Sequence, residues 1–157
     1  MSNDLKKILI GEGLGEVRFG MTRNEVKKIL GDPDETEEIS FSDEEDDAIE
    51  SWHYDEFEFS LSFEKSIDNR LSSIAISALD ATLNGEAIVD KTRDVVIKTI
   101  EKMNLGSFEE ETIEEDPKTK VKLLSFYESG LSLWFENEYL TEVQWGLIED
   151  EEESGEE

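Results

Sequence analysis

The chain has 157 residues with 15 Lys and Arg against 42 Asp and Glu, a formal net charge of −27, and no cysteine. That length suits one domain or two small ones sharing a core. The charge excludes direct nucleic-acid binding, which needs a basic patch. The missing cysteines exclude disulfide frameworks, thiolate metal sites and cysteine nucleophiles.

Charge of this size invites disorder, but Leu, Ile, Val and Phe supply 43 residues, about 27% of the chain. Disorder becomes the default below roughly 20%, so the chain is expected to fold under heavy self-repulsion. Leu5, Ile8 and Leu9 predict a short leading helix. The run Ile8-Leu9-Ile10 is too short for a signal h-region, no stretch approaches a membrane span, and no cysteine is available for acylation. The expected location is the cytoplasm.

Gly11-Glu-Gly-Leu-Gly15 reads as a hinge, because it lacks the Lys-Ser/Thr of a phosphate loop. A first helix begins at Thr22, whose partner Glu25 completes a capping box, and it ends at Gly31 and Pro33. Its apolar stripe is Val26, Ile29 and Leu30. The acidic stretch Asp32 to Glu50 reads as a mobile link. Period-two alternation then predicts strands at Trp52 to Tyr54, Phe57 to Phe63 and Leu71 to Ala78. Asp80 to Asn84 reads as a loop or a remnant of the leading helix. A second helix is predicted from Asp90 to Asn104, burying Val89, Val96, Ile97, Ile100 and Met103. A second acidic link, Glu109 to Asp116, precedes strands at Val121 to Tyr127, Leu131 to Phe135 and Tyr139 to Trp145. The low-complexity run Glu149 to Glu157 reads as a disordered acidic tail.

The order helix, three strands, helix, three strands comes with a sequence repeat. Residues 14–30 align without gaps on residues 84–100, with identities at Gly15/Gly85, Glu16/Glu86, Thr22/Thr92, Arg23/Arg93, Val26/Val96 and Lys28/Lys98. Further on, Ser60-Leu-Ser-Phe-Glu64 matches Ser132-Leu-Trp-Phe-Glu136. The expected fold is α+β: two tandem repeats, each a helix plus a three-stranded antiparallel meander, sharing one sheet or core. Residues 1–80 form the first repeat, residues 81–148 the second and residues 149–157 the tail.

Gly15-Glu-Val-Arg-Phe-Gly-Met-Thr-Arg-Asn-Glu-Val-Lys-Lys-Ile-Leu-Gly-Asp-Pro33, followed by Trp52-His53-Tyr54, resembles the opening of the BamE-like (SmpA/OmlA) module over residues 14–78. The resemblance implies a helix closed by Leu-Gly-x-Pro and then an antiparallel meander, and it implies a scaffold or assembly role. The missing signal and acylated cysteine and the degenerate second copy depart from that family. A tandem pair of such units is similar in layout to the beta-lactamase inhibitory proteins, which implies one concave sheet that grips an enzyme.

No residue pattern carries catalysis. His53 is the single histidine and has no cysteine partner, so it reads as a structural or surface residue. Asp43-Glu-Glu-Asp-Asp47 lacks the alternating spacing and central glycine of a calcium loop. No cofactor or metal is expected. The aromatics Trp52, Tyr54, Trp134, Tyr139 and Trp145 cluster on predicted strands, and Trp and Tyr rimmed by acids have the composition of a protein-binding hot spot. Trp134 lies out of phase with Leu133 and Phe135 and is therefore expected on the solvent side. The function expected is a non-enzymatic acidic module, an immunity or inhibitor protein that neutralises a basic partner such as a nuclease toxin. A BamE-like scaffold and a carboxylate-based hydrolase are the alternatives.

Overall fold

A computed structural model describes residues 6–40, 48–103 and 105–146. The chain begins with three short strands, β1 (Lys7–Leu9), β2 (Gly13–Leu14) and β3 (Val17–Arg18), and then α1 (Arg23–Leu30). Four strands follow: β4 (Glu35–Ser40), β5 (Ala48–Tyr54), β6 (Phe59–Glu64) and β7 (Arg70–Ile76). The second half runs β8 (Thr82–Leu83), β9 (Glu86–Ala87), α2 (Arg93–Glu101), β10 (Glu109–Glu115), β11 (Lys120–Phe126), β12 (Leu131–Glu136) and β13 (Tyr139–Gly146). These strands form a five-stranded sheet, ordered β3-β2-β1-β8-β9, and an eight-stranded sheet, ordered β10-β11-β12-β13-β7-β6-β5-β4.

The fold is therefore mostly β, and the expected α+β pair of helix-plus-three-strand repeats is not what the chain forms. Neither the tandem BamE-like module nor the layout of the beta-lactamase inhibitory proteins describes it. The helices have only eight and nine residues, too short to form a layer of their own, while thirteen strands make up the two sheets. The difference arises in the acidic stretches. Parts of both segments read as mobile links form edge strands: β4 pairs antiparallel with β5, and β10 with β11. Every residue of β4 and β10 is exposed, so no inward apolar face produces alternation. Ladder hydrogen bonds satisfy one side of the backbone while the glutamates stay in water. The leading helix expected around Ile8 and Leu9 is also a strand, β1, paired parallel with β8. The acidic run 43–47 and the tail 149–157 lie outside the described residues.

Each half presents a short hairpin, a helix and a four-stranded meander, and the halves meet at the antiparallel β7–β13 pair in the middle of the large sheet. Helix starts keep the 70-residue offset: Thr22 and Thr92 are both N-caps, and only Thr22 closes a full capping box with Glu25. The hairpins slip by one residue, so that the turn Gly15–Glu16 corresponds to Asn84–Gly85. Both meanders carry a bulge in the same place, after Ser62 in one and after Trp134 in the other. At the seam only glycine fits: a Cβ on Gly146 would meet the Ser72 carbonyl oxygen at 2.7 Å.

The core lies between the sheets. Ile8, Leu14, Val17 and Leu83 of the small sheet and Val26, Val96 and Ile100 of the helices pack on one face of the large sheet. That face contributes Trp52, Tyr54, Phe59, Leu61, Phe63, Ile74, Ile76, Leu133, Val143 and Trp145. Each such large side chain gains roughly 1.5–3 kcal/mol on full burial. Arg23 at the start of α1 pairs with Glu50 of β5, and its repeat counterpart Arg93 pairs with Glu110 of β10. Both helix starts are thus clamped to the sheet by an arginine–carboxylate pair.

Candidate functional site

The second face of the large sheet carries no helix and no strand among the described residues. Strand alternation assigns its side chains, and antiparallel register lines them up in rows. One row crosses all eight strands: Glu35, His53, Ser60, Ala75, Gln144, Ser132, Ser125 and Glu109. A neighbouring row runs Glu37, Ser51, Ser62, Ser73 and Gly146. On the opposite flank of the central row lie Glu111, Leu123, Trp134 and Glu142. Small residues make a low floor, and carboxylates stand at both edges. With adjacent strands about 4.8 Å apart, the face is roughly 34 Å wide.

His53 is held on this face. Its Nδ1 lies 2.8 Å from Ser60 Oγ and its Nε2 lies 3.5 Å from Glu37 Oε1. At the flank, Trp134 is half-buried between its cross-strand neighbours Leu123 and Glu142. Its indole Nε1 is buried and has no hydrogen-bond partner among the described residues. Glu142 is half-buried too, and burial pushes its carboxyl above the usual carboxylate range. No Lys, Arg or His among the described residues pairs with it. Glu142 also lines an open cleft of about 310 Å³ with Asp55, Glu58, Ser60 and Ser77. Carboxylate and hydroxyl side chains predominate in this lining, which suits it to accepting hydrogen bonds from a cation.

Of the five aromatics expected to contact a partner, Trp52, Tyr54 and Trp145 point into the core and are at most 3% exposed. Their hydrogen bonds are internal. Trp52 Nε1 donates to Glu50, Tyr54 Oη donates to the Gly31 carbonyl at 2.9 Å, and Trp145 Nε1 donates to the Gly13 carbonyl at 3.0 Å. Burial, followed by the nearby carboxylates of Asp32 and Asp34, pushes the Tyr54 phenol up to about 12. Tyr139 is 48% exposed but sits at the far end of β13 opposite Glu136, so it does not adjoin Trp134. Of the five, only Trp134 is paired across strands with Glu142.

The residues that sequence reasoning missed are Glu142, Leu123 and the serine floor. Their signal lay in the alternation itself, since Ser60 and Ser62 occupy the phase opposite Phe59, Leu61 and Phe63. Their neighbours across strands depend on register, which a single strand does not encode.

Among the described residues no three His, Asp or Glu side chains gather closely enough to hold a metal ion. None of their helices is long and apolar enough to cross a membrane. No protein-family model matches the chain, and no curated protein or solved structure matches it either.

Proposed function

We propose that this chain is a non-enzymatic binding protein that engages a basic protein partner through the acidic rim and open face of its large sheet. One observation supports the reading above others. Three of six residues in β4 and five of seven in β10 are glutamate, and these strands flank an uncovered face on both sides. Fields of one sign over a surface of this size steer association with oppositely charged partners and raise the on-rate. Nucleic-acid-binding proteins, nuclease toxins among them, carry the dense Lys and Arg surfaces that such a rim complements.

The test is affinity capture from native lysate with the full chain as bait, followed by elution in rising salt. Captured proteins should be basic, and their release should depend steeply on ionic strength. Specific partners that are neutral or acidic, or that stay bound irrespective of salt, would overturn the reading.

A further inference from the structure

We infer that the cleft at Glu142, beside Trp134, is the anchor point for one arginine side chain of that basic partner; the inference rests on the binding reading above and gives it a location. Three features converge there. First, the cleft opens on the uncovered face, and its ionisable lining is Asp55, Glu58, Glu142 and Tyr54, with no Lys or Arg. Second, Glu142 is half-buried without a counter-ion among the described residues; its cross-strand neighbour is Trp134, and Ser77, just beyond the end of β7, lines the same cleft. A carboxylate that has lost part of its hydration gains most from a cation that arrives with the partner. Third, the half-buried Trp134 is the direct cross-strand partner of Glu142 on the same face.

Arginine suits this arrangement better than lysine. Its planar guanidinium can donate two parallel hydrogen bonds to one carboxylate while stacking on an aromatic face, and it sheds hydration more readily than an ammonium. The cleft's volume of about 310 Å³ is at the small end of the range of ligand pockets, which fits a single long side chain. The surrounding floor of Ser60, Ser62, Ser73, Ala75 and Ser132 is low enough for a partner's surface to approach closely. In the first half the position of Trp134 is held by Ser62, which pairs with Ser51 and Ser73. The anchor therefore belongs to one half alone, and one partner per chain is the expected stoichiometry.

The experiment is a titration of the ¹⁵N-labelled full chain with N-acetyl-arginine amide, followed through backbone amides and tryptophan indoles, with N-acetyl-lysine amide as the comparison. Arginine amide should shift the signals of Ser60, Ser77, Glu142 and the Trp134 indole, and lysine amide should bind more weakly. Glu142→Gln, which keeps the shape of the side chain, should weaken binding about tenfold, the loss expected for a charge-assisted hydrogen-bond pair. Glu16→Gln, at the exposed β2–β3 turn of the small sheet, should change nothing, and unaltered thermal unfolding of both variants checks the fold. Shifts spread along β4 and β10, or a Glu142→Gln variant that binds as the parent does, would overturn the anchor. Capture of basic proteins by that same variant separates the two ideas: undiminished capture sinks the anchor alone, whereas a parent that captures none sinks the binding reading itself.

Discussion

Trp145 and Gly13 lie 132 residues apart, yet the indole Nε1 of one donates to the carbonyl oxygen of the other at 3.0 Å. This bond joins the large sheet to the small one. Trp145 is 1% exposed, and position 13 must be glycine because a Cβ there would collide with the Val17 carbonyl oxygen. Trp145→Phe would strand a buried acceptor and leave a small void. The expected loss is about 1–3 kcal/mol, read as a lower urea midpoint with an unchanged slope. A variant as stable as the parent would show that the sheets are held by apolar packing alone.

Trp134 should behave in the opposite manner. It stands on the open face, and its contacts are the cross-strand pairs with Leu123 and Glu142. Such pairs contribute roughly 0.2–1 kcal/mol, so Trp134→Ala should cost no more than about 1 kcal/mol. Trp145→Ala, by contrast, should cost about 3–5 kcal/mol. Equal losses in the two variants would place Trp134 in the core and remove it from any contact surface.

Comparing these two tryptophans shows what was legible in the sequence. The phase of Trp134 against Leu133 and Phe135 put it on the outer face, and the capping box at Thr22 and Glu25 marked the start of α1. Those signals are local. Trp145 shares its phase with Val143, which told only that both face the same way. Which way that was depended on β1 and β2, strands of three and two residues with no periodicity to read. The glutamate runs of β4 and β10 misled because an edge strand exposed on both faces has the composition of a disordered link. Glu142 could not be singled out among 42 acids until register set it beside Trp134.

Tyr54 gives a pH-dependent test of the core. Its hydroxyl donates to the carbonyl of Gly31, the glycine that ends α1. Burial and then Asp32 and Asp34 raise its pKa from 10.0 to about 12, so the folded state favours the neutral phenol. The stability linked to this group is fully present below pH 10 and is lost as pH rises from 10 toward 12. Tyr54→Phe should cost about 0.5–1.5 kcal/mol at pH 7 through the lost hydrogen bond. Because phenylalanine does not ionise, that deficit should shrink above pH 10. A constant difference between parent and variant from pH 7 to 11.5 would contradict the buried, neutral phenol.

The glutamates of the edge strands have a cost and a use, and salt separates them. Glu110 is paired with Arg93 and Lys122, Glu115 with Lys120, and Glu37 with His53. Glu35, Glu38, Glu109, Glu111 and Glu114 have no such partner among the described residues. Exposed ion pairs contribute about 0–1 kcal/mol each, whereas the net charge of −27 repels itself throughout the chain. Screening should therefore remove more repulsion than attraction. Added NaCl up to about 0.5 M, where the Debye length has fallen well below its 10 Å value at 0.1 M, should raise the melting temperature, by about 2–4 °C for each kcal/mol relieved. Replacing Glu35, Glu38, Glu109, Glu111 and Glu114 together with threonine should raise it in low salt and reduce the further gain from NaCl. The same variant should self-associate, because uncharged edges offer their free backbone groups to other copies, and light scattering would report the growth in mass. A melting temperature that is flat or falling with salt in the parent would mean the charges are compensated locally. A variant that keeps the parent's mass would show that its edges are protected by something other than charge.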